Sequence, residues 1–96
     1  MSYQFSGDLF AILEIPPDAS PAQIKKGYHV QCLKYHPDKL KKLPDRERTA
    51  AEARFAEVGT AYQLLRDDER RECYRLGGIR AVENLEKYRF LDRLLR

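Results

Sequence analysis

Ninety-six residues, 43% hydrophobic and 34% charged, make one domain, large enough to bury a core and too small for two. With only five glycines and five prolines, that balance excludes an intrinsically disordered chain. The net charge of +3 is a small surplus of 18 basic over 15 acidic residues; nucleic-acid binding would instead call for a clustered basic stripe.

Residues 1–7 form an N-terminal lead with neither the charged nor the apolar region of a signal peptide, so none is expected. No apolar run approaches membrane-spanning length, and no membrane partner is expected. Two cysteines, Cys32 and Cys73, are too few for a disulfide framework; reduced thiols in the cytoplasm or nucleus are the expectation. Asp8 predicts the N-cap of a short apolar helix from Leu9 to Glu14, and Ile15-Pro16-Pro17-Asp18 a linker. Ser20 followed by Pro21 starts the next helix, and Gln23 completes a capping box. That helix runs to Tyr35. Ile24, Tyr28 and Tyr35 share one face, and Gly27 admits a close neighbour. Gln31 falls on the same stripe, where an apolar residue is expected, as a buried amide with partners or at a wet edge.

At Pro37 the backbone donor is lost, and His36 before it is pushed out of the α region. An imidazole and a carboxylate, His36 and Asp38, thus flank a rigid ring just past a helix end. The simplest outcome is a turn in which Asp38 satisfies nearby backbone N–H groups. Residues 39–48, rich in Lys and Arg and holding Pro44, read as a loop. From about Arg46 to Arg66, Ala51, Phe55, Val58, Tyr62 and Leu65 mark one apolar helix face. Gly59 in its middle predicts a close helix crossing. Asp67-Asp68 caps a further helix, Glu69 to Leu76, which Gly77-Gly78 ends. The tail from Ile79 is again amphipathic, with Ala81, Leu85, Tyr88, Leu91 and Leu95 on one face. The fold class is all-α. Two long helices bracketing a polar loop pack most simply as an antiparallel hairpin, with His36-Pro37-Asp38 in solvent at its tip.

These residues carry a resemblance to the J domain, the Hsp70-stimulating module of the DnaJ/Hsp40 co-chaperones. They are Asp8 to Leu13, Ile24-Lys25-Lys26-Gly27-Tyr28, Leu33-Lys34-Tyr35-His36-Pro37-Asp38-Lys39, Arg54-Phe55, Ala61-Tyr62, Leu64-Leu65, and Arg71 with Tyr74. The resemblance implies four helices over residues 8–77, with an extra amphipathic helix in 78–96. It implies a domain that docks on an Hsp70, near the junction of nucleotide-binding domain and linker, and stimulates ATP hydrolysis there without being an enzyme itself. Asp38 would engage an arginine of the partner, with His36 and Pro37 setting its position. Lys25, His29, Lys34 and Lys39 would complete the Hsp70-binding surface. Gly27-Tyr28-His29 resembles C-type members, including nuclear ones that handle histones. Three departures stand out. Glu14 occupies the place of a glycine that often ends the first helix, so that helix is expected to lack a left-handed cap. Val30 stands where a basic residue is common, and Arg75 where aspartate is common after Tyr74.

His29, Cys32 and His36 lie on one helix face and are zinc-ligand types, but a closed site needs a fourth ligand, and nothing in the spacing brings Cys73 near. No metal or cofactor is expected, and a Cys–His nucleophile there lacks a pocket and an orienting group. Phe10, Tyr28, Phe55, Tyr62 and Tyr74 fall at packing positions. The tail either packs back on the domain or begins a client-binding or dimerising helix, because Tyr88, Phe90, Leu91, Leu94 and Leu95 are much apolar surface, ringed by Arg89, Arg93 and Arg96. A monomer is expected. The alternative is a scaffold that keeps the J fold and holds a protein client, such as histones, or nucleic acid through its basic loop and tail.

Overall fold

The computed structural model describes residues 3–5 and 7–96; Met1, Ser2 and Ser6 of the lead lie outside the described residues. Every regular element among the described residues is helical: α1 (Leu9–Ile12), α2 (Pro21–Lys34), α3 (Pro37–Leu40), α4 (Asp45–Leu65) and α5 (Asp68–Leu95). α5 is two helices joined at a kink, because Gly78 sits at φ 71°, ψ −163°. That is backbone a side chain disfavours, and it separates residues 68–77 from 79–95.

The starts of α1, α2 and α5 are written locally. Asp8 Oδ2 accepts the backbone N–H groups of Phe10 and Ala11, both at 3.1 Å. Ser20 Oγ accepts Gln23 N–H at 3.2 Å while Gln23 Oε1 accepts Ser20 N–H at 2.8 Å, the reciprocal capping box. Asp67 Oδ1 accepts the N–H groups of Glu69 and Arg70. At the other end of α4, the buried Arg71 donates through Nη1 to the Leu65 carbonyl at 3.0 Å, one of the acceptors a helix terminus leaves open.

The core joins Leu9, Phe10, Ile12 and Leu13 from α1 and its exit to Ile24 of α2, then to Val58, Ala61, Leu64 and Leu65 of α4 and Val82 of α5. Tyr28 stacks on Tyr62 with ring centroids 4.0 Å apart, and Tyr35 meets Phe55 at 5.9 Å. Residue numbers rise along α2 as they fall along α4, so the two run antiparallel as expected. Gly27 is buried where the chain leaving α1 crosses α2; a Cβ there would lie 2.5 Å from Ile15 Cγ2 and 3.2 Å from the Leu13 carbonyl oxygen.

Four expectations are corrected. The 39–48 segment is not all loop: Pro37–Leu40 makes one helical turn, and α4 starts at Asp45, with Pro44 as its N-cap. Proline at such a boundary ends one helix and fixes the entry to the next. Gly59 marks no close crossing, since nothing lies within 4 Å of where its Cβ would be. The first helix stops at Ile12, and Glu14 adopts the left-handed conformation that was not expected there, at φ 56°. In the tail, Val82 is the buried residue, while Tyr88, Leu91 and Leu95 are exposed.

The two glycines should respond oppositely to alanine. Gly59→Ala should stabilise the domain by about 0.5–1 kcal/mol, from helix propensity with no clash. Gly27→Ala should destabilise it by roughly 1–3 kcal/mol, because Ile15 or the Leu13 carbonyl must shift. Urea titrations of both variants read the two signs; like signs would contradict the packing described here.

Candidate functional site

His36 is extended, at φ −58°, ψ 139°, and Pro37 begins α3 behind it. A helical turn starting with proline has Asp38 N–H as its first open donor. His36 Nδ1 accepts that N–H at 3.2 Å. The imidazole therefore acts as the cap, with Nδ1 as the acceptor. The turn is closed by Lys39 N–H and Leu40 N–H on the His36 carbonyl and Lys41 N–H on that of Pro37. The Asp38 side chain is 79% exposed, and its Oδ2 lies 3.7 Å from His36 Nδ1. The carboxylate is thus carried on a fixed turn with its hydrogen-bonding capacity left open. The Tyr35–Phe55 contact ties the preceding residue to α4, so the turn has a rigid base.

The other candidate residues divide. Lys25 and His29 are exposed one turn apart on the outward side of α2, and Lys39 is exposed within α3. At roughly 3.6 residues per turn, Lys34 falls on the opposite side of α2 from Lys25. Its Nζ pairs with Glu14 Oε2 at 3.3 Å and lies 5.7 Å from the Tyr35 ring centroid. Val30 and Leu33 are exposed between these flanks. His29, Cys32 and His36 bring no third ligand to one point: among the described residues no group of three His, Cys, Asp or Glu could hold a metal ion.

Sequence reasoning missed the device beneath the site. Ile15 N–H donates to the Phe10 carbonyl and Glu14 N–H to that of Ala11, both at 3.0 Å, the double bond of a Schellman motif with glutamate in the glycine position. The Glu14 carboxylate then accepts Gln31 Nε2 at 2.5 Å as well as Lys34. Gln31, 2% exposed, is the amide left open on the apolar stripe, and Glu14 is its partner. Gln31 and then Lys34 hold the Glu14 carboxyl below its ordinary pKa. Arg75 was equally illegible. Its Nε donates to the Pro17 carbonyl at 3.1 Å and Nη2 to that of Ala19 at 2.9 Å, with the guanidinium 5.3 Å from the Phe10 ring centroid, so it clamps the α1–α2 linker. Tyr74 closes the same corner, donating to Asp8 Oδ1 at 2.6 Å and accepting Leu9 N–H at 2.9 Å. Burial first, then Asp8, pushes its pKa up to about 12.

The DnaJ domain family model matches residues 8–75. The chain belongs to the DnaJ domain family. Over 70 residues it is 39% identical to a DnaJ homolog subfamily C member 7 homolog of Dictyostelium discoideum, covering 73% of this chain and 13% of that protein. Over 79 residues it is 44% identical to DnaJ homolog subfamily B member 9 of Rattus norvegicus, covering 82% of this chain and 33% of that protein. The crystal structure of ERdj5 form II superposes with a TM-score of 0.59 at 28% identity, over 74% of this chain and 9% of that one. This J domain chain thus spans a third or less of the curated relatives it matches. They come from both the B and the C subfamily.

The depressed Glu14 pKa gives a signed pH dependence for the J domain. Its contribution is complete above the unfolded glutamate pKa of about 4.3 and is lost as pH falls through the lower folded value. Thermal melts should therefore show Glu14→Gln less stable than wild type at neutral pH, with the difference closing as pH falls below the ordinary glutamate range. A difference that does not change with pH would remove the charge from the account.

Proposed function

We propose that this J domain docks on an Hsp70 and accelerates ATP hydrolysis by that partner, acting as a regulator with no catalytic group of its own. One observation carries the reading: the exposed Asp38 carboxylate stands on a capped, proline-started turn whose own amide is already satisfied by His36. A carboxylate so held is suited to a charge-assisted, bidentate hydrogen bond with a guanidinium. In this reading His36 and Pro37 position Asp38, and Lys25, His29 and Lys39 form the flank that meets an acidic surface. Lys34, engaged by Glu14, contributes to docking only by leaving that pair. Membership of the DnaJ domain family supports the partner class, and the free thiols of Cys32 and Cys73 support a reducing compartment, cytoplasm or nucleus.

Single-turnover ATP hydrolysis by purified Hsp70s tests the proposal. The chain should raise the rate, and Asp38→Asn, at an exposed site that leaves the fold intact, should lose roughly tenfold or more of the rise, as expected for a lost charge-assisted bond. Equal stimulation by wild type and Asp38→Asn would overturn it. Lys25→Gln with Lys39→Gln should lower the association rate and flatten its dependence on ionic strength, while leaving the rise at saturation nearly intact.

A further inference from the structure

One atom of His36 faces two partners. Nδ1 lies 3.2 Å from the Asp38 backbone nitrogen, whose N–H it accepts, and 3.7 Å from Oδ2 of the same residue's carboxylate. The two contacts ask for opposite states of the ring. A ring nitrogen accepts a hydrogen bond only when it carries no proton, and it donates to a carboxylate only when it does. Histidine is also the side chain whose charge changes between about pH 5 and 8. The His36 ring is 53% exposed, so a proton reaches it without any unfolding.

The surrounding charges leave this choice to Asp38. Among the described residues the Asp38 carboxylate is the one charged group paired with His36. Lys34, at the end of α2, is drawn to Glu14, and Lys39 is exposed on the following turn. Cys32, one turn earlier on α2, is a half-buried free thiol. On α4, which meets the end of α2 through Phe55, Arg54 pairs with Glu57 and Arg48 with Glu52.

Protonating Nδ1 has two local effects. The Asp38 N–H loses its acceptor, so the turn that starts at Pro37 loses its cap. The new N–H can then take the carboxylate, by closing the 3.7 Å separation to the roughly 2.8 Å of a charge-assisted bond. An oxygen left open by the neutral ring is then engaged inside its own turn, beside a cation that repels an approaching guanidinium.

We propose that His36 is a proton-operated gate on Asp38: the neutral ring caps the turn and leaves the carboxylate open, and the charged ring uncaps the turn and claims the carboxylate. This rests on the reading that Asp38 docks on an Hsp70, and adds control by pH to it. By reciprocity, a guanidinium bound to Asp38 drives the proton off His36. Docking is therefore strong above the midpoint of the His36 titration and weakens as pH falls through it. The chain's other histidine, His29, works in the opposite sense, because its protonation adds a cation to the flank that meets an acidic surface.

Nuclear magnetic resonance on the whole 96-residue chain tests the gate without a partner, between about pH 7.5 and 5.5. Above the midpoint, the ring nitrogens should report Nδ1 without a proton. Through the midpoint, the Asp38 carboxylate carbon should shift, and the Asp38 amide should lose protection relative to an unfolded peptide at the same pH. In His36→Asn, whose Oδ1 stands where Nδ1 stood and does not titrate, the amide should stay protected. A proton on Nδ1 in the neutral ring, an amide indifferent to the His36 titration, or equal loss of protection in His36→Asn would each overturn the gate. A second arm adds an Hsp70 nucleotide-binding domain with its linker. Below the midpoint, docking should return the His36 ring to its neutral signal, and affinity should fall about tenfold per pH unit. A ring that stays charged in the complex, or an affinity that holds steady, would count against the gate. Absence of docking above the midpoint would instead sink the Hsp70 reading, while the free chain still reports whether His36 controls the Asp38 turn.

Discussion

The hairpin tip depends on which side chain satisfies one amide. A helical turn that begins with proline presents Asp38 N–H as its first open donor, and an aspartate could close a turn on itself. Here the His36 imidazole accepts that proton instead, so the carboxylate one residue past the proline is left for something else. The other parts of the site secure this division of labour. Pro37 keeps His36 extended so that Nδ1 can reach forward, and the Tyr35–Phe55 contact stops the end of α2 from swinging away from α4. The tripeptide works as a unit because three different backbone constraints meet in three consecutive residues.

Features governed by neighbours in sequence were readable in advance. The caps at Asp8, Ser20 and Asp67 act within three residues, the stripes on α2 and α4 repeat for several turns, and the break at Pro37 is a property of one residue. The exposed tip follows from those local rules. Features governed by distant partners were not readable. Nothing in the glutamate side chain favours a left-handed backbone, and its stabilising contacts come from Gln31 and Lys34 across the fold. The α3 turn is too short to show a period. Gly59 invites a packing explanation that the structure does not supply. The face on which the tail lies down is decided by Arg89 finding Asp67, and helical spacing cannot announce that pairing.

Asp67 carries two duties at this junction. It caps the start of α5 and also receives Arg89 from the far end of the same element, a hydrogen bond that holds its carboxyl below the ordinary pKa and Arg89 above its own. Ion pairs of this exposure contribute about 0–1 kcal/mol singly, so the tail is held by the number of contacts and by Val82, not by one strong bond. The kink at Gly78 makes the double duty possible, because it lets the chain turn back towards its own start.

The Glu14–Gln31 bond also constrains how this sequence can change. A glycine at position 14 would relieve the left-handed backbone, yet it would strand a buried amide with no acceptor. An apolar residue at position 31 would suit the core, yet it would leave the glutamate in a strained conformation with less to stabilise it. Neither substitution is neutral alone, while the two together are compatible. Changes at these two sites are therefore coupled, and a chimera that takes glycine at position 14 from one parent and keeps Gln31 from the other leaves that amide without its acceptor.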